Sequence, residues 1–165
     1  MSMKDWNFKQ KPTGVWKHVL RLPTYLFRAH LGFLMGERIL LLIHKGRVSG
    51  QLRQTAVEVV THDRTTHEYI VCSGTGPGAD WYLNITALPA VEVQVGNHRW
   101  TPTQRMVPQP EAAQRFADYE RLHPKTARRL LKSMGNAYDG TDEGRLEMMA
   151  RMPMVAFADR QRPSR

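Results

Sequence analysis

The sequence has a single cysteine, Cys72, among 165 residues, so no internal disulfide can staple it. With no signal-peptide pattern at its start, a reducing cytoplasmic setting is expected. Seven histidines show no HxxxH spacing and there is no CxxC pair, so no metal site is expected. No uncharged run approaches the roughly 18 residues that cross a bilayer. The chain has no internal repeat, no P-loop spacing GxxxxGK[ST] and no dinucleotide fingerprint GxGxxG. It also lacks an aromatic platform or motif for nucleic acid, so no nucleic-acid partner is expected.

What is present is an ordinary globular composition, 41% hydrophobic and 24% charged, in a chain about one domain long. The net charge of +9 is uneven: residues 1–54 carry +8, residues 55–110 carry −2 and residues 111–165 carry +3. A field of that sign attracts anionic lipid, nucleic acid or a phosphorylated small molecule, and composition does not choose among them. Residues 1–35 form a basic amphipathic segment in which Trp16, Leu20, Phe27 and Phe33 alternate with Lys17, Arg21 and Arg28, divided by Pro23. It suits the surface of an anionic membrane, or packing on the rest of the protein with its cations in water. Residues 36–165 make the folded domain.

Within that domain, Ile39 to Ile43, Gln54 to Thr61, Glu68 to Ser73, Val91 to Val95, His98 to Met106 and Met154 to Ala158 read as six strands. Helices are expected at Asp80 to Ala87, Pro110 to about Leu122, Lys125 to Met134 and Asp142 to Met152, the last capped by Thr141. Short strands with mostly short connections predict an α+β fold: a small, partly open barrel of about six mainly antiparallel strands with helices packed outside.

Two loops carry features suited to anions. In Lys45-Gly46-Arg47-Val48-Ser49-Gly50-Gln51-Leu52-Arg53, glycines permit close backbone approach, Ser49 and free N–H groups donate, and two arginines supply forked donors. A solvated hairpin turn of the same composition is the competing reading. The second loop, Ser73-Gly74-Thr75-Gly76-Pro77-Gly78-Ala79, opens onto Asp80-Trp81-Tyr82 at a helix start, where free N–H groups again favour negative charge. Cys72 reads as a buried small hydrophobe. Met148, Met149, Met152 and Met154 fit either a core or an adaptable pocket. Lys125, Arg128, Arg129 and Lys132 form one helix face, most simply a solvated one.

The pair of loops, with Asp80-Trp81-Tyr82-Leu83-Asn84 and Leu88-Pro89-Ala90-Val91-Glu92-Val93-Gln94-Val95, resembles the deazaflavin-dependent nitroreductase family of split β-barrel oxidoreductases. The resemblance covers about residues 24–158 and is strongest from 39 to 107. It implies coenzyme F-420, a hydride carrier with a phosphodiester and a glutamate tail, with FMN as the alternative. Position by position, Ser49, Gly50 and Arg53 would face the phosphate and tail. Thr55, Ala56 and Val57 would offer backbone to the ring, and Ser73, Gly74, Asp80 and Trp81 would close the site. Two positions depart: Val48 and Gly74 stand where characterised nitroreductases often carry lysine. The tyrosines of the nitroreductase branch are also missing from His123 to Arg129, which points to a divergent branch with a more apolar pocket.

The resulting expectation is a reductase acting on a lipophilic substrate: an unsaturated lipid, a quinone or a nitro compound. A barrel that has lost the cofactor and binds fatty acid is the alternative. No catalytic residue is assigned; Tyr119 and Tyr138 are candidate proton donors. A homodimer and peripheral contact with the inner face of the plasma membrane complete the expectations.

Overall fold

The computed structural model describes residues 25–27 and 32–159. The readings made on residues 1–24, 28–31 and 160–165, including most of the basic amphipathic segment, lie outside the described residues. Of that segment, Tyr25 to Phe27 is helical and a 3-10 turn spans Gly32–Met35. Phe27 is completely buried and lies against Gly32, so this apolar residue packs on the protein.

The domain has seven strands: β1 Ile39–Lys45, β2 Leu52–Asp63, β3 Glu68–Cys72, β4 Glu92–Val95, β5 His98–Trp100, β6 Pro102–Met106 and β7 Met154–Asp159. Every pairing is antiparallel, in the order β5-β4-β1-β2-β3-β7-β6. Four helices complete it: α1 Asp80–Ala87, α2 Gln109–Leu122, α3 Pro124–Met134 and α4 Asp142–Arg151. The α+β split barrel expected from the sequence is what the chain forms.

The stretch expected as one strand, His98 to Met106, is two. It breaks at Thr101, before Pro102, which has no N–H to give a ladder. The break is what curls the sheet: β5 pairs with β4 and β6 with β7, so consecutive strands lie on opposite edges and bring them together. Side chains tie the closing edges. His98 bonds Asp159 at 2.9 Å and the Trp100 indole donates to the Ala158 carbonyl at 3.2 Å. Gln104 donates to the Ile85 carbonyl and accepts from Ala90 N–H, holding β6 to the end of α1.

The long strand β2 turns the corner between the two halves. Leu52 to Glu58 pairs with β1; the register then shifts between Val59 and Thr61, and Val59 to Asp63 pairs with β3. A bulge of this kind bends a strand and lets it change neighbours. As a result, the edge of Thr55–Val57 that faces away from β1 has no ladder partner among the described residues.

Alternation along the strands builds two cores. Leu40, Leu42, Val57, Tyr69, Val71, Val93, Trp100, Val155 and Phe157 fill the barrel, with Ile85 of α1 as a plug. The opposite faces of β3 and β7, through Ile70, Met154 and Ala156, pack against Phe116 and Tyr119 of α2, Ala127 and Leu131 of α3, and Met148, Met149 and Met152 near α4. Ion pairs seal the second core. Arg105 makes two 2.7 Å bonds to Glu68 and further bonds to Glu111, while Arg115 reaches Asp63 at 2.7 Å. Thr141 caps α4 as expected, accepting from Gly144 N–H at 3.0 Å. Among the described residues no helix is long and apolar enough to cross a membrane.

Candidate active site

The turn after β1 is closed by its own backbone. Gly50 N–H donates to the Gly46 carbonyl and Gly46 N–H to the Gln51 carbonyl, both at 2.8 Å. Gly50 sits at φ +66°, in the left-handed region where side chains are strained. Gly46 is required for another reason. A Cβ there would lie 2.7 Å from Ser49 Oγ and 3.1 Å from Arg53 Nε. The missing side chain leaves a cradle over which a hydroxyl and a guanidinium converge.

That cradle opens into a polar cavity of ≈ 520 Å³ lined by His44, Arg47, Ser49, Arg53, Thr55, Asp80, Trp81 and Asn84, among others. The structure gives its two arginines different tasks. Arg47 holds the turn to α1: its backbone N–H and its Nη1 both donate to Asn84 Oδ1 at 3.0 Å, and Nη1 lies 3.4 Å from Asp80 Oδ1. Arg53 is exposed and makes no ion pair among the described residues. Of the cations lining this cavity it is the one left for a ligand. Val48, at the tip of the turn, is 93% exposed.

His44 is the penultimate residue of β1, on the inward face shared with Leu40 and Leu42, and is 2% exposed. Nδ1 lies 3.2 Å from Asn84 Nδ2, and Nε2 lies 3.1 Å from Thr55 Oγ1. Burial and then the charge of Arg53 hold this imidazole below its ordinary pKa, against smaller opposing effects of the Lys45 backbone and Asp80. Neither His44 nor Asn84 stood out as a site residue in the sequence. The available signal was spacing: Asp80 and Asn84 are four apart and so share a helix face.

A second, apolar cavity of ≈ 170 Å³ adjoins the first, with Trp81 in the wall of both. Ala56, Val57, Val60, Phe116, Leu130, Met134 and Met152 make most of its lining, with Cys72, Glu58, Tyr119, Thr75 and Trp81 as residues whose side chains can hydrogen-bond. Burial, then Glu58, pushes the Cys72 thiol up to about 12, and its Sγ donates to the Met152 carbonyl at 3.4 Å. The same two causes push Tyr119 up to about 12, and its hydroxyl donates to Glu58 at 3.2 Å. Tyr138 is elsewhere, in a groove beside Arg128 and Lys132, with its hydroxyl donated to Glu120. Of the two tyrosines considered as proton donors, only Tyr119 borders this cavity.

The second glycine loop shapes the apolar cavity. Ser73 is buried and lines neither cavity; its hydroxyl donates to the Gly76 carbonyl at 2.6 Å. Gly74 lines the apolar cavity, and a Cβ there would fall on the thioether of Met134. Its carbonyl accepts from buried Asn136 at 2.9 Å, fixing the end of α3 over the loop. So the space beside Gly74 is taken by a methionine brought in from α3. Asp80, 75% exposed along its side chain, faces the polar cavity beside Arg47.

A family model described as F420H(2)-dependent quinone reductase matches residues 26–134. No curated protein matches the sequence. Among solved structures, one titled "Structure of F420-H2 Dependent Reductase (FDR-A)" is 21% identical, with a TM-score of 0.49, and the match covers 74% of this chain and 95% of that one. A structure described as a domain-swapped dimer is 19% identical, with a TM-score of 0.49 and coverage of 82% and 98%. A pyridoxamine 5'-phosphate oxidase-related, FMN-binding protein from Nostoc punctiforme is 12% identical, with a TM-score of 0.46 and coverage of 89% and 81%.

Proposed function

The chain belongs to the F420H(2)-dependent quinone reductase family, and on that premise we propose that it reduces a lipophilic acceptor with hydride from coenzyme F-420, a quinone first, with unsaturated lipids and nitro compounds in the same class. The observation that carries the reading is the join at Trp81 between a cationic cradle and an apolar cavity. A cofactor with an anionic tail and a flat ring needs both, side by side.

The residues present fit such a group. Ser49 Oγ and Arg53 Nε converge over the space that Gly46 leaves empty, and both can donate to phosphate oxygens. Gly50 gives the turn its shape without touching that space. The unladdered edge of Thr55, Ala56 and Val57 offers backbone donors and acceptors to a ring, and Trp81 offers it an aromatic wall. Gly74 and Asp80 bound the site on the far side, and Ser73 holds the loop that carries Gly74.

When bound, the reduced coenzyme supplies a hydride, that is, two electrons and a proton. A quinone that takes up this hydride and one further proton leaves as the quinol. The protein's share is to bind the tail, orient ring and acceptor against each other, and keep water from the apolar cavity.

Equilibrium fluorescence titration with coenzyme F-420, and with FMN for comparison, tests the reading. Wild type binds the deazaflavin, and Arg53→Ala loses about 1.5–3 kcal/mol, the range for hydrogen bonds to charged groups. Equal affinity in the variant, or no binding by either protein, would overturn it. A cofactor-free lipid-binding barrel is the rival reading, favoured by the absence of a cation at Val48 and Gly74. It predicts bound fatty acid and no affinity for the deazaflavin.

A further inference from the structure

We propose that His44 is a positioning residue: together with Asn84 and Arg47 it fixes the Thr55 hydroxyl as a hydrogen-bond donor aimed into the polar cavity. The ligand group it selects there is a hydrogen-bond acceptor, such as a phosphodiester or carboxylate oxygen. The ligand part of the proposal rests on the function proposed above; the proton arrangement does not.

Arg47 offers Asn84 two donors, its backbone N–H and Nη1–H, and both meet the same atom at 3.0 Å. Only oxygen accepts, so that atom is the amide oxygen, and Nδ2 of Asn84 is turned towards His44 Nδ1 at 3.2 Å. Nδ2 carries only hydrogens to give, so Nδ1 must accept and the imidazole proton resides on Nε2. Nε2–H therefore donates to Thr55 Oγ1 at 3.1 Å. A hydroxyl has one hydrogen. With its oxygen already accepting from His44, Thr55 has its own hydrogen left over, and no described residue takes it.

That hydrogen lies in the wall of the cavity that also holds Ser49 and Arg53. Three donors then surround one space, and the charged and titratable groups near His44 agree with it. Arg53 on β2 opposes an imidazolium. Asp80 on α1 favours one, but is itself 75% exposed and beside Arg47. A second proton on Nδ1 would face the hydrogens of Asn84 Nδ2, so His44 is neutral and its tautomer is set. The chain of bonds runs from the turn through α1 and β1 to β2, so it also links the first glycine loop and α1 to the strand expected to carry the ring.

Long-range proton–nitrogen correlation spectra of histidine-labelled protein read the tautomer directly, with the His44 signal identified by its loss in His44→Gln. The expected pattern at neutral pH is a bare Nδ1 and a protonated Nε2. Asn84→Asp puts a pure acceptor opposite Nδ1 and should move the proton there. In binding, Thr55→Val should weaken coenzyme F-420 about tenfold or more, and Thr55→Ser should retain affinity within about threefold. The opposite tautomer or an imidazolium in wild type overturns the proposal, as does full affinity in Thr55→Val. If wild type binds no coenzyme at all, the proposed function fails, and the spectra alone decide for or against the His44 relay.

Discussion

Gly74→Ala is the substitution for which the structure makes the sharpest demand. Gly74 has no positive φ, so its backbone accepts alanine without strain and the cost is purely steric. The added Cβ would fall on Sδ of Met134 and lie 2.5 Å from its Cε, with Cγ at 3.6 Å. The colliding atoms are the far end of a flexible side chain, so the thioether can swing away. Overpacking a tight core costs about 1–3 kcal/mol, and a methionine that can turn places this case near 1 kcal/mol. The space it turns into is the ≈ 170 Å³ cavity that Gly74 and Met134 both line, so a small loss of stability should accompany a larger loss of ring binding. Urea denaturation and coenzyme titration measure the two. Met134→Ala in the same chain should restore binding to Gly74→Ala and also admit Gly74→Lys, which would add a cation there. If Gly74→Ala binds the coenzyme as well as wild type, Met134 is not what shapes the site and the reasoning fails.

Arg47→Ala should behave unlike Arg53→Ala: it removes the Nη1 donor from Asn84 Oδ1 and leaves only the backbone N–H there, and should cost about 1–3 kcal/mol of stability as read by denaturant melts. Arg115 holds the Asp63 carboxyl below the usual range, and Arg105 does the same for Glu111. Folded-state pKa values that are depressed give stability present above the unfolded values near 4 and lost as pH falls through the folded ones, so melts should drop below about pH 4; Asp63→Asn with Glu111→Gln should flatten that drop. For the acceptor's route, full-length protein should sediment with anionic vesicles at low salt and a chain lacking residues 1–35 should not; if the full chain ignores such vesicles, acceptors arrive through water.

The barrel was legible because alternation marks strands wherever one face is buried. Glu92 and Gln94 against Val93 and Val95, and the β-branched run into Thr61, both gave strands close to those observed, although Gln94 is itself buried and β4 is covered on both faces there. The break at Thr101 was missed although Pro102 marks it in the sequence: the residues on either side are equally strand-like, and their pairing with opposite edges is what separates them. In the site, glycine spacing located the turn because glycine's use there is local: Gly50 for its φ, Gly46 for the space it leaves. Which arginine remains for a ligand depended on Asn84, 37 residues from Arg47, and no local pattern carries that. Likewise Met134 fills the space beside Gly74 from another helix, so the missing lysine could be seen in the sequence but its replacement could not.

The central claim is that this chain uses reduced coenzyme F-420 to reduce an acceptor held beside Trp81. Anaerobic mixing of the protein with the reduced coenzyme and a lipophilic quinone, followed by the return of the oxidised coenzyme's absorbance, tests it most directly. The account predicts protein-dependent oxidation that is saturable in both substrates and weakened through coenzyme affinity in Arg53→Ala. Oxidation no faster than without protein, for quinones, unsaturated lipids and nitro compounds alike, would contradict it.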